Sequence, residues 1–319
     1  SDYAHSQNVK IIVWFEPERA AAETWLTENH PEWILGGKRG GLLNLGNPLA
    51  WDWLVNHIDK LIKEEGIDLY RQDFNINPLE FWQANDVENR QGITENKYVA
   101  GYLAYWDELQ KRNPGMLIDS CASGGRRNDL ETMRRAVPLL RSDYIFEPVG
   151  NQAESYGLSL WLPFYGTAFS APSGYTAYNH RSNMCPQQIM CFDVRTQLDD
   201  PLIRKLYQEW LDIAPNYYGD FYPLTAWNVA ETDWIAWQFN RTDTNTGFVS
   251  AFRRGHCHFR IAEFKLNGLD PNADYLVENT DTNQPVIKTG VELMEKGLIV
   301  EITEKPGSAI IKYSLVPAQ

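Results

Sequence analysis

The sequence predicts an α/β protein: a (β/α)8 barrel of the TIM type, with about six strand–helix units visible, followed by an antiparallel β-sandwich. Over residues 1–222, short apolar strands end in polar residues and lead into amphipathic helices, which is the pattern of parallel barrel strands. From residue 223 onward, short alternating strands are separated by turn signals, as in a β-sandwich. We therefore expect a barrel domain at 1–222, which lacks its first units, and a sandwich domain at 223–319.

The individual elements follow from hydrophobic periodicity and from capping and turn residues. The helix at 48–65 is the clearest, since it opens at Asn47-Pro48, has an apolar 3.6-residue period and ends at Gly66. The other predicted barrel elements are strands at 9–15, 67–75, 116–119, 139–141 and 189–194, helices at 95–112, 129–137, 152–161 and 200–214, a loop at 77–94 and an extended segment at 165–172. The predicted sandwich strands are 234–239, 247–252, 297–302 and 309–313.

Composition narrows the class of partner. The formal charge of −13 argues against nucleic acid, because phosphate contacts need clustered Lys and Arg. No apolar run approaches the ~20 residues that cross a membrane, and the four Cys show no zinc-site spacing. The 12 Trp, 16 Tyr and 13 Phe are platforms for sugar rings or simply core residues. No signal peptide is visible, and the compartment and the oligomeric state, a homo-oligomer included, are left open.

Polar residues at the ends of the predicted strands give the candidate site. Because the carboxyl ends of parallel barrel strands meet at one face, these segments are expected to converge on one pocket. Two carboxylates that flank an anomeric carbon can cleave a glycoside, and we predict that Asp73 and Asp143 are this pair. The polar segments are 16–19, 71–75, 119–127 and 141–143.

Each of these residues also has a structural interpretation. Arg71 lies on the same side of its strand as Asp73; it would lower the pKa of Asp73, or the two would form an ion pair that closes the barrel end. Asp143 could instead cap a helix. Glu16 and Glu18 could hold sugar hydroxyls or only a loop. The small residues at 120–125 let backbone approach a ligand, but they match no phosphate-binding pattern.

Taken together, the segments resemble glycoside hydrolase family 36, the melibiase clan of α-galactosidases. Trp14-Phe15-Glu16-Pro17-Glu18 matches the Trp-Phe-Glu-Pro-Glu strand tip of that family. Residues 71–75, Arg-Gln-Asp-Phe-Asn, are similar to its Lys-Trp-Asp-Met-Asn nucleophile motif. Residues 120–127, Ser-Cys-Ala-Ser-Gly-Gly-Arg-Arg, resemble its Ser-Cys-Ser-Gly-Gly-Gly-Gly-Arg loop, and Ser142-Asp143 matches its acid/base Ser-Asp.

The resemblance implies a retaining glycosidase that releases terminal α-linked galactose from oligosaccharides or glycoconjugates by double displacement. Asp73 would attack the anomeric carbon, and Asp143 would act as acid and then as base. Cys121 and Ser123 would lie near the sugar's 2-position, and no metal or organic cofactor is implied. The predicted substrate-binding residues are Trp14, Arg39, Arg71, Asn75, Cys121, Ser123, Gly124 and Arg141.

Three other interpretations are open at this point. An α-N-acetylgalactosaminidase of the same fold is one, because Ser123 replaces a family glycine at the sugar's 2-position. A non-catalytic carbohydrate-binding homologue is the second. A metal-dependent hydrolase that uses Asp73, Asp119 and Asp129 is the third. The family's first two barrel strands, with their Asp-Asp-Gly-Trp tip, and its N-terminal β-sandwich have no match here, so we expect a longer polypeptide or a second chain to supply them.

Overall fold

A computed structural model describes residues 1–169, 175–191, 193, 195, 200–282 and 284–317. The chain divides into two compact units, residues 1–143 and 144–319. The predicted domain limits, 1–222 and 223–319, stay a prediction. No helix in the described part of the chain is both long enough and apolar enough to span a bilayer.

The α-helices of the described residues are α1 (Asp2–Ser6), α2 (Trp25–Asn29), α3 (Pro48–Glu65), α4 (Leu79–Ala84), α5 (Ile93–Arg112), α6 (Leu130–Met133), α7 (Pro148–Ser159), α8 (Ala177–Ser182) and α9 (Pro201–Ile213). The strands are β1 (Ile12–Phe15), β2 (Arg19–Ala20), β3 (Ile34–Leu35), β4 (Gly41–Leu43), β5 (Leu69–Gln72), β6 (Leu117–Ser120), β7 (Gly166–Phe169), β8 (Gln187–Met190), β9 (Asp220–Pro223), β10 (Trp234–Arg241), β11 (Thr246–Arg253), β12 (Ile261–Phe264), β13 (Asp274–Asn279), β14 (Val286–Thr289), β15 (Leu298–Glu301) and β16 (Gly307–Leu315).

The first unit is built on a parallel sheet in the order β1-β5-β6. Its register places Trp14 beside Arg71 and Arg71 beside Asp119. The carboxyl ends of the three strands therefore lie side by side, and the polar residues that follow them emerge at one edge. This confirms the parallel strands that the sequence predicted. A small antiparallel sheet, β2-β4-β3, accompanies them.

Helix α3 has the bounds that the sequence predicted, because both of its ends are set by local signals. The side chain of Asn47 accepts a hydrogen bond from the backbone N–H of Leu49 at 3.0 Å, as an N-cap does. Gly66 closes the helix with φ of +63°, a conformation that favours glycine. The apolar stripe of the helix is buried in the core of this unit, with Ala50, Leu54, Val55, Ile58 and Ile62 facing inward.

The segment after β6 differs from its prediction. The predicted helix at 129–137 is shortened to α6, and residues 139–141 form no strand. Val137 instead makes an isolated parallel bridge with Asp119. A proline follows Val137 and disfavours a helical residue before it, while the Leu139 N–H is taken by the Asp119 side chain at 2.9 Å. The predicted loop at 77–94 is also wrong in part, because it contains α4.

The second unit begins with a parallel pair of strands, β7 and β8, together with α7, α8 and α9. The predicted segments 165–172 and 189–194 overlap these strands, and their later residues lie partly outside the described residues. A six-stranded antiparallel sheet follows, in the order β14-β13-β16-β11-β10-β9, with a two-stranded sheet, β12-β15. Val249, Val277 and Ile311 of the large sheet share a core with Phe264 and Val300 of the small one, so the predicted sandwich is confirmed.

The other face of the large sheet is covered as well. Trp237, Phe239 and Phe248 pack in a second core with Tyr156 of α7 and Ile213 of α9. The strands β10 and β11 are therefore buried on both faces. The alternation of apolar and polar residues in their sequences does not correspond to a buried face and a solvent-exposed face. The polar positions of the alternation are buried side chains that have hydrogen-bond partners, as buried polar groups in folded proteins generally do.

One of these partnered groups is Gln238 of β10, whose side chain is fully buried. Its amide donates to the carbonyl oxygen of Asn267 at 2.9 Å and to the hydroxyl of Tyr313 at 2.7 Å. A charged group, Arg181 of α8, is also buried in this unit, at 1% exposure.

Arg181 joins the helices of this unit to its sandwich. Two of its nitrogens donate to the Glu209 carboxylate of α9 at 2.8 and 2.7 Å. Two more bonds, both 2.7 Å, reach Asp281 in the turn after β13. Burial works against the cation, but these carboxylates raise the pKa of Arg181 above its usual value. The planar fork of arginine suits this double pairing, which lysine cannot reproduce.

Replacing Arg181 with Met should destabilise the second unit by about 3–5 kcal/mol, because the buried Glu209 carboxylate is left without its cation. Urea denaturation followed by tryptophan fluorescence measures the change. Arg260→Met is the matched control, since Arg260 pairs with Glu301 where both side chains are exposed, and a loss of at most about 1 kcal/mol is expected. Equal losses in the two variants would contradict the structural role of Arg181.

Candidate active site

Asp73 follows β5 directly and is only 9% exposed. Its Oδ1 accepts the backbone N–H of Phe74 at 2.7 Å and that of Ser123 at 3.2 Å. Its Oδ2 accepts the indole N–H of Trp14 at 3.1 Å. These donors come from β1, from the end of β5 and from the loop after β6. Three segments therefore fix the direction of one carboxylate.

The same hydrogen bonds set the charge of Asp73. Burial acts to raise its pKa, but bonds from the Asn75 side chain, the Phe74 and Ser123 backbone and the Trp14 indole outweigh it, and the pKa is lowered. Donors that stabilise the charged form act in this direction. The carboxylate is thus ionised and oriented, as a nucleophile needs to be.

Arg71 has a different partner from the one the sequence suggested. Its guanidinium forms an ion pair with Asp119 on the neighbouring strand, and Asp119 is 1% exposed. Burial opposes the charge, but Asp119 raises the pKa of Arg71. The interpretation that Arg71 and Asp73 form an ion pair is therefore wrong, because the carboxylate that pairs with Arg71 is that of Asp119. Substrate binding by Arg71 stays a prediction.

Glu16 places Asn75 beside Asp73. The carboxylate of Glu16 accepts the Asn75 N–H at 2.9 Å and a guanidinium N–H of Arg19 at 2.5 Å. The Asn75 side chain in turn accepts the Ser123 hydroxyl at 2.7 Å. Of the two interpretations of Glu16, support of a loop is the one that these contacts favour.

Glu18 is fully buried beneath the site. Its two oxygens accept both terminal nitrogens of Arg127 at 2.6 and 2.9 Å, in a bidentate pair. They also accept the Tyr98 hydroxyl at 2.5 Å and the Gln72 amide at 2.7 Å. Glu18 is therefore a structural carboxylate rather than a ligand for hydroxyls.

Arg127, which sequence reasoning passed over, lies between two aromatic rings. Its guanidinium carbon is 3.8 Å from the ring centre of Phe74 and 4.3 Å from that of Tyr102, a cation–π arrangement. Burial opposes the cation, but Glu18 raises the Arg127 pKa above its usual value. The sequence feature that could have singled out Arg127 is its position as the last residue of the 120–127 motif.

Asp143 is exposed, and its backbone lies against the loop that serves Asp73. A Cβ added to Gly124, whose φ is +79°, would come within 2.9 Å of the Asp143 nitrogen. The carbonyl oxygen of the buried Arg141 accepts the Asn128 side chain at 3.3 Å. Only glycine fits this close approach in this conformation, so Gly124 brings the two predicted catalytic segments together.

Cys121 lies between the same charges. The thiol is buried, and burial raises its pKa to about 12, with Arg71 acting to lower it and Asp73 to raise it. Its N–H donates to the Gln72 carbonyl at 2.8 Å. The thiol is therefore neutral near pH 7 and suits contact with a neutral group rather than nucleophilic attack.

Arg39 comes from a segment of the chain other than the strand ends. It is exposed, at the end of a short 3₁₀ turn, Gly37–Arg39. It lines a cleft of about 710 Å³ together with Glu16, Arg19 and Phe81. Arg39 therefore shares a cleft with the tip of β1, and its contact with substrate stays a prediction.

The metal-dependent alternative finds little support in this geometry. Asp119 is paired with Arg71, and Asp129 caps α6 by accepting the Thr132 N–H at 3.0 Å. No group of three His, Cys, Asp or Glu side chains that could hold an ion occurs within the part of the chain that the structure describes.

Comparison of the sequence with models of protein families shows which family the chain belongs to. Residues 1–180 match the model of the Melibiase family. The chain belongs to the melibiase family. Residues 234–312 also match the model of the glycosyl hydrolase family 36 C-terminal domain, so both parts of the chain point to the same group of proteins.

Melibiase-family relatives are similar over nearly the whole chain. Alpha-galactosidase 1 of Pediococcus pentosaceus is 25% identical over 316 residues, which are 92% of this chain and 42% of that protein. Probable alpha-galactosidase C of Aspergillus flavus is 29% identical over 317 residues, 92% of this chain and 40% of that one. The chain thus spans less than half the length of these relatives.

Solved structures show the same fold. The alpha-galactosidase from Lactobacillus brevis superposes with a TM-score of 0.86 at 20% identity, over 100% of this chain and 46% of that one. A GH36 alpha-galactosidase AgaA variant from Geobacillus stearothermophilus, solved with stachyose, superposes with a TM-score of 0.85 at 21% identity. The match covers 99% of this chain and 46% of that one. The chain therefore has the melibiase barrel fold followed by a sheet-rich C-terminal domain.

The buried pair beneath the site predicts a non-additive effect on stability. Arg127→Met should cost about 3–5 kcal/mol, because Glu18 is left as an unpaired buried charge. Adding Glu18→Gln, which removes that charge, should recover part of the loss. Denaturant unfolding of the wild type, both single variants and the double variant measures the coupling. Strictly additive losses would show that Glu18 and Arg127 do not act as a pair.

Proposed function

We propose that the chain carries the catalytic centre of a retaining exo-α-galactosidase, with carbohydrate as its substrate and no organic cofactor. The observation that carries this proposal is the Asp73 carboxylate, which three segments hold ionised and oriented at a strand end. Membership of the melibiase family supports it. The relatives are named alpha-galactosidases, and AgaA variants were solved with raffinose and with stachyose.

The mechanism assigns different tasks to the two aspartates. Asp73 attacks the anomeric carbon and forms a covalent glycosyl-enzyme while Asp143 protonates the leaving oxygen. Asp143 then takes a proton from water, which attacks the same carbon and releases the sugar with retained configuration. Exposure of Asp143 to solvent suits a group that must exchange protons with water in each cycle.

The residues around Asp73 would bind the sugar. Trp14 is half exposed, so its ring can face a pyranose while its N–H holds the nucleophile. The neutral Cys121 thiol and the exposed Ser123 would lie near the 2-position. Arg39 would reach the sugar from its cleft. The remaining proposed substrate contacts are Arg71, Asn75, Gly124 and Arg141.

Replacing Asp73 with Asn should lower kcat on an aryl α-galactoside by at least about a thousandfold, because the amide cannot form the glycosyl-enzyme. Asp52→Asn, on the exposed side of α3, is the matched control and should turn over normally. A 2-deoxy-2-fluorogalactosyl adduct on Asp73, located by mass spectrometry, would identify the nucleophile directly. Near wild-type turnover by Asp73→Asn in the full-length protein would contradict the proposal. Parallel assays with the aryl α-galactoside and the aryl α-N-acetylgalactosaminide show which of the two sugars the enzyme prefers.

Replacing Trp14 with Phe should shift the acid limb of kcat/KM to higher pH. The indole N–H is one of the donors that lower the pKa of Asp73, so its removal raises that pKa and the nucleophile protonates at higher pH. A shift of about half a unit to one unit is expected. The pH profile of kcat/KM, which reports the free enzyme, measures it; an unshifted or lowered acid limb would contradict the role of the bond.

A further inference from the structure

Arg126, in the loop after β6, binds both chain segments that flank Asp73. Its Nε donates to the Ala122 carbonyl at 3.0 Å. Its Nη2 donates to the Phe74 carbonyl at 2.9 Å and to the Ser123 hydroxyl oxygen at 3.0 Å. One guanidinium therefore ties the loop that supplies a hydrogen bond to Asp73 to the end of the strand that carries it.

The point where Arg126 acts is Ser123. This residue has φ of +45°, a left-handed conformation that a non-glycine residue keeps only where its surroundings hold it. In this conformation its N–H is 3.2 Å from the Asp73 carboxylate and its hydroxyl donates to Asn75 at 2.7 Å. The hydroxyl oxygen accepts from Arg126, so its only donor and one of its two acceptor lone pairs are used.

Arg126 has little capacity left for a ligand. Its Nη1 donates to the Asn77 side chain at 3.2 Å, so four of its five N–H groups are engaged. No carboxylate pairs with this arginine among the residues that the structure describes. The cation is directed at carbonyl and hydroxyl oxygens of the loop, which is the geometry of a clamp rather than of an anion site.

We propose that Arg126 is a positioning residue, which holds Ser123 in its left-handed conformation and so keeps the Ser123 N–H on Asp73. The family loop that this chain resembles has glycine at both positions, and glycine needs no such support. The serine and the arginine therefore act as a pair in this chain. The predicted effect on turnover rests on the proposed function. The predicted effect on Asp73 does not, because Arg126 acts on that carboxylate through Ser123.

Other groups that face Asp73 must be left in place by a test. These are Arg71 on its own strand, Asp119 on β6 and Cys121 at the tip of β6, all of which interact electrostatically with it. From β1 the facing group is the neutral Trp14. Variants at Arg126 leave all four unchanged, and Arg126→Lys separates the loss of the planar fork from the loss of charge.

The deciding experiment is a carbon-13 NMR titration of the Asp73 carboxyl in the full-length protein, with the resonance assigned by Asp73→Asn. Arg126→Met and Arg126→Lys should both raise the Asp73 pKa by about half a unit to one unit, because the Ser123 N–H is no longer held on the carboxylate. Arg134→Met, which removes an exposed arginine paired with Glu131 on α6, is the matched control and should leave the titration unchanged.

Two results would overturn the inference. One is an Asp73 titration in Arg126→Lys that equals the wild type, since charge alone would then suffice. The second concerns Arg126→Met made in a Ser123→Gly background, where glycine needs no clamp and the change in the Asp73 pKa should largely vanish. A change as large as in the Ser123 protein would overturn the inference. Circular dichroism of each variant checks that the fold is kept. If Arg126→Met alone folds poorly, the Asp73 titration in the Ser123→Gly background tests the role of Arg126.

Kinetics then separate this inference from the proposed function. On an aryl α-galactoside, Arg126→Met should lower kcat about tenfold with a nearly constant KM, as loss of orientation does. A wild type without turnover would overturn the proposed function, while the NMR titration would still decide the role of Arg126.

Discussion

The buried ion pair between Glu18 and Arg127 is the contact on which the candidate site depends. Glu18 follows β1, Arg127 follows β6, and Gln72 at the end of β5 donates to the same carboxylate. The tips of three parallel strands are thereby joined at one buried charge. Separation of the β1 tip from the Arg127 loop would leave that charge without its cation in a low-dielectric interior, and separation of the β5 tip would remove one of its hydrogen bonds. Asp73, the next residue after Gln72, is consequently held on a tip that cannot move independently of its neighbours.

Above this pair, hydrogen bonds contribute more than the neighbouring cation to the charge and direction of Asp73. The nearest strand cation, Arg71, is committed to Asp119. A cation would favour ionisation without fixing direction, whereas N–H donors from three segments do both. An attacking oxygen needs a defined line of approach as well as a charge, so this arrangement suits the chemistry of a nucleophile better than an ion pair does.

The sequence predicted those features whose causes are local. Helix α3 is set by its own period, by Asn47 and by Gly66, and the parallel strands by short apolar runs. Prediction failed where a distant side chain intervenes, as when Asp119 takes the N–H of Leu139. The buried state of Glu18 depends on an arginine 109 positions later, and the motif letters alone left its role open. Local patterns thus located Asp73, but its partners come from segments that only the fold brings together.

The large sheet of the second unit has aromatic residues packed on both faces, one against the small sheet and one against α7 and α9. The stretch that resembles barrel units and the stretch that resembles a sandwich therefore share a core. A recombination or proteolytic cut near residue 223 would strip the aromatic face of Trp237 and Phe248 of its cover, and exposed patches of this kind promote aggregation. The aromatic face of the C-terminal sheet thus depends for its burial on helices that precede it in the chain, so the sheet cannot be separated from them without exposing that face.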